Sequence, residues 1–333
     1  MKSNSHRSRS LLSTWVIMAM ALGIHGVAQA ATPPIWPNKP IRMIVSSAPG
    51  SPPDVVARIF GERLVAALGQ PVVVENRPGA IGTIGLNTVA KATPDGYTFG
   101  IIALPYLLAP TLMPNVSFDM VADLVPVIQT NWESHLLVVR ASSPWKSAKD
   151  LIAYAKSQPG RITFASGGNA TPAHLSGEFF KRHAGIDIRH VPFKGPVQGV
   201  SAIVGEQVDL MFAATPAASP HIQSGRLRAL ATPAPNRLSA FPDVPTMLEL
   251  GYAGVEIRGW QGVVAPAATP KAVIARMASE VAKITASPDI KARLAVLGMD
   301  PAEQGGSEAF GTLIRSELAR WSKVAREANI RAD

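Results

Sequence analysis

The chain of 333 residues contains no cysteine. This excludes disulfide bonds, thiolate metal ligands and a cysteine nucleophile. A protein without covalent cross-links needs an apolar core large enough to stabilise the fold alone. A chain of this length ordinarily forms two domains, each with its own core.

Runs of like charge are also missing. The formal net charge is +9 and includes three basic residues, and no acidic ones, in the first thirty positions; subtracting these three leaves +6. The remaining Lys and Arg residues are scattered, which argues against a nucleic-acid-binding groove. A mildly positive surface favours encounters with small anions.

Beyond the first thirty residues, no apolar run is long enough to cross a bilayer. The N-terminus has a basic start, an apolar stretch from Leu11 to Ile24 and small residues at Ala28 and Ala30. This order is typical of a cleavable secretory signal peptide. We expect residues 1–30 to be removed and the mature protein to be periplasmic; an uncleaved membrane anchor is the alternative.

The mature sequence is organised around a strand, a loop and a helix near its start. Ile41–Val45 is an apolar run typical of a strand buried in a parallel sheet, and a helical repeat of apolar residues extends to Leu68. Small and turn-forming residues lie between them, and Asp54 is expected to be the N-cap. A helix N-terminus that follows a strand can bind an anion, although an ordinary βα turn has the same pattern.

Strand and helix patterns then alternate along the chain, which indicates an α/β fold with parallel strands covered by helices. A second unit is expected to begin near Asn131, and the apolar segment Val255–Val264 is expected to return the chain to the first unit. We predict lobe 1 from residues 31–130 plus 256–333 and lobe 2 from residues 131–255. Two crossovers between lobes favour a hinge.

A second glycine-rich loop, Ser166–Thr171, follows another predicted strand, and Thr171-Pro172 is typical of an N-cap followed by the first helical residue. Two such loops in separate units predict a cleft in which helix N-termini meet an anion. Lys194 and Gly195 follow a further strand, where the lysine faces either solvent or a ligand. Trp260 lies either in the core or at the cleft.

Three other patterns are weaker. The glycines between Gly79 and Gly85 have the spacing G-x-x-G-x-x-G rather than that of a dinucleotide-binding fingerprint. His174 and Glu178 are four residues apart on a predicted helix, but no third metal ligand is evident. The G-x-S-x-G elbow of serine hydrolases is absent. We therefore expect no cofactor, no metal and no catalysis.

Taken together, the ordered segments resemble the extracytoplasmic solute-binding receptors of tripartite tricarboxylate transporters, the Bug-type receptors. The resemblance covers essentially the whole mature chain. It rests on the segments WPNKPIRMIV, LGQPVVVENRPGA, PDGYTF, ASGGNATPAHLSGE, HVPFKG, GEQVDLMF, FPDVPTMLELG and GWQGVVAPAATP.

This resemblance implies a two-lobed periplasmic binding protein fold, type II-like, in which each lobe has a mostly parallel sheet flanked by helices. It implies a monomeric receptor that captures a small carboxylate-bearing anion for membrane permease subunits. The same resemblance implies these ligand-binding residues: Ala48, Gly50, Ser51, Asp54, Ser166, Gly167, Asn169, Thr171, His174, Lys194 and Gly195.

The sequence departs from this family where the first loop meets its helix. Ser51-Pro52-Pro53 replaces the usual Gly-Gly-Thr-like run. Because proline lacks an N–H and fixes φ, this loop has fewer donors and less freedom. We expect a stiffer and more apolar pocket, and a carboxylate ligand with an apolar or aromatic body rather than citrate.

Two alternative functions are compatible with the sequence. The first is a receptor of the same fold that serves a signalling partner instead of a permease. The second is an exported hydrolase, which would need a reactive nucleophile that an active-site serine probe would label.

Overall fold

The computed structural model describes residues 36–113, 115–169, 171–238, 240–255, 257–303 and 305–327. The predicted signal peptide lies outside these residues. Within them, no helix combines the length and apolar character needed to span a membrane.

Across the described residues, the strands form two sheets. One has six strands in the order β11-β4-β10-β3-β1-β2, and the other has five in the order β7-β6-β8-β5-β9. The strands are β1 (Ile41–Val45), β2 (Val72–Asn76), β3 (Thr98–Ala103), β4 (Leu124–Glu133), β5 (His135–Arg140), β6 (Ile162–Ser166), β7 (Ile188–Pro192), β8 (Leu210–Ala214), β9 (Leu227–Ala231), β10 (Gly259–Pro266) and β11 (Met299–Pro301).

Helices connect the strands and flank both sheets. The α-helices are α1 (Pro52–Leu68), α2 (Thr83–Ala90), α3 (Ala109–Leu112), α4 (Ala148–Ser157), α5 (Pro172–Ala184), α6 (Pro196–Val204), α7 (Thr215–Gln223), α8 (Lys271–Ala286), α9 (Pro288–Val296) and α10 (Gly306–Glu327). Short 3₁₀ helices occupy Ala80–Gly82 and Leu104–Leu108.

Both sheets are mixed. In the six-stranded sheet, β1 pairs in parallel with β2 and β3, whereas β10 runs antiparallel to β3 and β4. In the five-stranded sheet, β6 pairs in parallel with β7 and β8, whereas β5 runs antiparallel to β8 and β9. The strands β4, β5 and β10, by which the chain passes between the sheets, all pair antiparallel, and so does β11 with β4. Each sheet is therefore mixed rather than mostly parallel as expected.

The chain crosses between sheets at one buried residue. β4 ends at Glu133 in the six-stranded sheet, and β5 begins at His135 in the other, so Ser134 alone connects them. The Ser134 carbonyl accepts hydrogen bonds from the backbone N–H and the hydroxyl of Thr215, at 3.0 and 2.8 Å. The return crossover precedes β10. The lobe boundaries expected from the sequence stay a prediction.

Several local predictions are confirmed. The segment Ser147-Ala148-Lys149-Asp150 has the sequence pattern of a capping box, and Ser147 caps α4 in a complete one with Asp150. Thr171 is the N-cap of α5, with Pro172 in the first turn. The C-terminal helices α8 and α10 pack on β4 of the six-stranded sheet, as their apolar faces predict.

Candidate functional site

A cavity of about 570 Å³ lies where the edges of the two sheets meet. It is lined by the loops that follow β1, β6 and β7, by the ends of β3, β4 and β8, and by the starts of β5 and β10. The N-cap residues of five α-helices, α1, α2, α5, α6 and α7, line it too: Ser51, Gly82, Thr171, Gly195 and Ala214. Helix N-termini carry partial positive charge, so this arrangement favours an anionic guest.

The first loop, which joins β1 to α1, is held in place by Asp54, whose exposure is 2%. Its carboxylate accepts hydrogen bonds from the Gly50 N–H at 2.9 Å, from Nε and Nη2 of Arg58 at 3.0 and 2.9 Å, and from the Asn76 amide at 2.9 Å. Burial raises the pKa of this carboxyl, and these hydrogen bonds outweigh burial and lower the pKa below its ordinary value. Asp54 therefore fixes the loop rather than facing the cavity.

The prediction that Asp54 is the N-cap of α1 is wrong. The N-cap is Ser51, and the helix begins at Pro52. Proline fits the first helical turn because its fixed φ is already helical, so Pro52 and Pro53 start the helix before Asp54 is reached. These two prolines also remove two N–H donors from the cavity side of α1.

The second loop follows β6 and is organised by the Ser166 hydroxyl. It donates to the Gly168 carbonyl at 2.9 Å, accepts from the Gly168 N–H at 3.1 Å, and lies 2.7 Å from Nε2 of His190. Thr171 donates its hydroxyl proton to the same Gly168 carbonyl at 2.7 Å. The loop is therefore fixed before a ligand binds.

The Ser166–His190 contact has the spacing of a nucleophile and its base. Ser166 is fully buried, however, and does not line the cavity. Because its hydroxyl is engaged with the Gly168 backbone, it is not presented to a substrate in the cleft.

The third loop, between β7 and α6, lies directly against the second. A Cβ added to Gly167 would meet the Pro196 nitrogen at 3.0 Å and the Gly195 carbonyl carbon at 3.2 Å, so any other residue here would push the two loops slightly apart. Lys194 follows β7 and is exposed. Among the lining residues that the structure describes, it is the only Lys or Arg.

Seven of the eleven predicted site residues line the cavity: Ala48, Ser51, Gly167, Asn169, Thr171, Lys194 and Gly195. The other four, Gly50, Asp54, Ser166 and His174, are absent from the lining. His174 is 7% exposed and stacks on His190, with ring centroids 3.9 Å apart. Burial, with the nearby His190 and Lys181, lowers the pKa of His174 to about 3, so the ring is neutral.

His174 also lies 3.9 Å from Glu178, the pairing considered above as part of a metal site. Glu178 is engaged by Lys181 at 3.2 Å. No group of three or more potential metal ligands occurs in the part of the chain that the structure describes.

The sequence analysis missed a group of buried polar residues at the crossover between the lobes. Glu133, His135, Tyr106 and Gln261 all line the cavity and are at most 6% exposed, beside Trp260, which the sequence placed either in the core or at the cleft. A Glu-x-His pair that ends one strand and begins another was the available signal, but the strands themselves were not predicted there. Trp260 lines the cleft and also packs edge-on against Phe310.

Burial changes the protonation of this group. It raises the pKa of Glu133 to about 7, against a lowering effect of the hydrogen bond from Gln261, and it lowers the pKa of His135 to about 4. Burial also raises the pKa of Tyr106 to about 12; the nearby Ser47 hydroxyl opposes this rise and the charge of Glu133 adds to it. At pH 7, His135 and Tyr106 are neutral and Glu133 is close to its titration midpoint.

Comparisons with known proteins identify the family to which this architecture belongs. The family model described as "Tripartite tricarboxylate transporter family receptor" matches residues 56–330. The chain is 34% identical over 313 residues to Protein BugT of Bordetella pertussis, covering 93% of this chain and 96% of that protein.

Two solved structures from Rhodopseudomonas palustris have the same fold. Rpa4515, solved with adipate, is 31% identical with a TM-score of 0.82, covering 90% of this chain and all of that one. MatC, solved with bound malate, is 30% identical with a TM-score of 0.76, covering 87% and 99%. The two-lobed fold and the family predicted from the sequence are confirmed: this chain belongs to the tripartite tricarboxylate transporter receptor family.

Proposed function

We propose that the protein is a periplasmic receptor that binds a small organic carboxylate, without catalysis, and delivers it to the membrane permease subunits of a tripartite tricarboxylate-type transporter. The observation that carries this proposal is the convergence of the N-termini of α5 and α6, together with Lys194, on one cavity. The adipate and malate in the two R. palustris structures are carboxylates too.

The carboxylate is expected on the side of the five-stranded sheet. Prolines at the first two positions of α1 leave few free N–H groups there, whereas α5 and α6 each have a proline only at the first position. The N–H groups of the following residues, and the Lys194 ammonium, remain as donors. Each charge-assisted hydrogen bond contributes about 1.5–3 kcal/mol, so a few suffice for micromolar affinity.

The rest of the lining favours an apolar body. On the side of the six-stranded sheet, the cavity wall includes Pro52, Pro53, Pro78, Ile81 and Pro105. These residues offer no side-chain hydrogen bonds, whereas citrate would require partners for three carboxylates. The ligand proposed is therefore a carboxylate with an apolar or aromatic body.

A binding assay tests this function. We expect adipate, hexanoate or benzoate to raise the melting temperature of the mature protein, residues 31–333, more than citrate does. Lys194→Gln should weaken binding of the best of these acids about tenfold, corresponding to about 1.4 kcal/mol. Lys149→Gln, an exposed lysine of α4 outside the cavity, is the matched control and should bind normally.

If citrate alone stabilises the protein, or if both lysine variants bind equally, the carboxylate site proposed here is wrong. The membrane protein that copurifies with the receptor separates transport from sensing: permease subunits support the proposal, and a signalling protein supports the alternative.

A further inference from the structure

Two members of the polar group at the crossover, Gln261 and Glu133, end a hydrogen-bond chain that begins at Thr130. Thr130 donates its hydroxyl proton to Oδ1 of Asn131 at 2.8 Å, and Nδ2 of Asn131 donates to Oε1 of Gln261. Nε2 of Gln261 then donates to Oε2 of Glu133 at 2.8 Å. The chain fixes the orientation of the Gln261 amide and ends on one oxygen of Glu133.

The other oxygen of this carboxyl group lacks such a partner. Oε1 of Glu133 lies 3.9 Å from Nε2 of His135, which is too far for a hydrogen bond, and it makes none with the residues described here. Nδ1 of His135 and Oη of Tyr106 also make no hydrogen bond of ordinary geometry within the described part of the chain. Leaving buried polar atoms unpaired destabilises a fold, so a bound partner would be stabilising.

The three groups share one chemical property. The ionised Glu133 carboxylate is an acceptor, the neutral His135 ring has one nitrogen lone pair, and the Tyr106 oxygen also accepts. An ammonium group has three N–H donors and no acceptor, which matches three acceptors. A second carboxylate would instead face Glu133 with like charge, and Lys194, the only Lys or Arg in the described lining, belongs to the loop after β7.

We propose that Glu133 is the counter-ion for a cationic nitrogen of the ligand, with His135 and Tyr106 as additional acceptors, so that the ligand is an amino-carboxylate. This inference rests on the proposed function, because the other end of the ligand is the carboxylate bound near α5 and α6. The proposed ligand carries a negative charge at one end and a positive charge at the other, with an apolar body between them.

The sheet order determines the distance between the two charged ends. β6, which precedes the carboxylate loop, is separated from β5, which begins at His135, by β8 alone. Two strand spacings correspond to roughly 10 Å between these strand ends. This leaves room for a body of several carbon atoms, as in an ω-amino acid.

The pH dependence of binding follows from the groups around Glu133. The titratable side chains that face it are His135 at the start of β5 and Tyr106 from the 3₁₀ helix after β3, both neutral at pH 7; Gln261 of β10 is not titratable. With the pKa of Glu133 near 7, an ammonium ligand binds best when this group is ionised, above pH 7. A dicarboxylate would bind best when it is protonated, below pH 7.

The experiment compares three probes of equal length by isothermal titration calorimetry: 6-aminohexanoate, hexanoate and adipate. At pH 8, we expect 6-aminohexanoate to bind at least tenfold tighter than hexanoate and tighter than adipate. Between pH 8 and pH 6, its advantage over hexanoate should fall up to about tenfold, because the ionised fraction of Glu133 falls by that factor.

Glu133→Gln should abolish both the advantage and its pH dependence. The control is Glu280→Gln, which removes a carboxylate that is 7% exposed on α8, is paired with Arg276 and Lys283, and lies outside the cavity. It should bind all three probes like the unaltered protein. If Glu133→Gln fails to fold, the unaltered protein still tests the idea in two buffers at pH 7: 6-aminohexanoate should release about half a proton, and adipate should take up protons.

The outcomes separate the two proposals. If hexanoate and adipate bind but the amino group adds nothing, or if the advantage persists in Glu133→Gln, the assignment of Glu133 is wrong and the carboxylate receptor stands. If none of the three probes, nor any other carboxylate in the panel, binds the unaltered protein, the proposed function fails and this inference fails with it.

Discussion

Glu133 should make the ligand-free protein less stable as the pH rises. A carboxyl group whose pKa is raised by folding keeps its proton in the native state at a pH where the unfolded chain has lost it. Its stabilising effect is therefore fully present below pH 4.5 and is lost as the pH rises through about 7. Replacing Glu133 by glutamine removes this titration and keeps the amide-sized side chain beside Gln261.

The magnitude follows from the two pKa values. Between the ordinary 4.5 and about 7, at 1.36 kcal/mol per pH unit, the free energy of unfolding should change by about 3 kcal/mol. The side chain is 8% exposed, so solvent screens little of this effect. Because part of the effect is already present at pH 5, the stability of Glu133→Gln relative to the unaltered protein should rise by about 2.5 kcal/mol between pH 5 and pH 8.5.

Urea unfolding of ligand-free protein at the two pH values measures this difference directly. The effects of all other titrating groups cancel between the two proteins, and Glu280→Gln serves again as the control. A stability difference that is the same at pH 5 and pH 8.5, or one that favours the unaltered protein at high pH, would show that Glu133 is not a buried carboxyl group with a raised pKa.

Three further predictions concern the scaffold of the site. The pKa of His174 is about 3 in the folded state, against an ordinary 6.5, so the protein should lose stability as the pH falls below 6.5. Urea unfolding measures this loss, and His174→Gln should reduce it by about 2 kcal/mol between pH 6.5 and 4.5. Asp54→Asn should lower the free energy of unfolding by about 2 kcal/mol, because the buried carboxylate orders Gly50 and pairs with Arg58; an unchanged urea midpoint would contradict this role. Gly177→Ala should lower the free energy of unfolding by about 1–3 kcal/mol, since its Cβ would meet the Phe164 ring. The control Gly61→Ala on α1, where the Cβ contact is 3.5 Å, should be tolerated. Equal melting temperatures for the two variants would refute the close approach of α5 to β6.

Elements with strong local signals were predictable from the sequence. The apolar run at Ile41–Val45, the capping box at Ser147 and the Thr171-Pro172 start of α5 each depend on neighbours in the chain. The loops at the ends of these strands were found for the same reason. Local chemistry therefore located the side of the cavity that is proposed to bind the carboxylate.

The other side of the cavity depends on long-range pairing. β4 and β5 form one nearly continuous segment, Leu124–Arg140, in which Pro126 and several polar residues break any simple period. Their partners, β10 and β8, lie far away in the sequence, so no local pattern marks these strands. Glu133 and His135 were missed because their elements were missed.

The two prolines at the start of α1 explain why Asp54 is not the N-cap that the sequence predicts. Asp54 resembles an N-cap when only its carboxylate is considered, but two consecutive prolines begin α1 earlier and move it to the third helical position. Its carboxylate then turns back to the Gly50 N–H and to Arg58. At Ile81, which has a positive φ of 51°, the chain forms a 3₁₀ turn before α2 begins.

Only Ser134 separates Glu133, the last residue of β4 in the six-stranded sheet, from His135, the first residue of β5 in the five-stranded sheet. Any rotation of the lobes must therefore turn the peptide units that carry these two side chains. A ligand that contacts both side chains would restrict rotation at this crossover, and it would also hold the two walls of the cleft together. The segment from Glu133 to His135 would then respond both to the charge of the ligand and to the angle between the lobes.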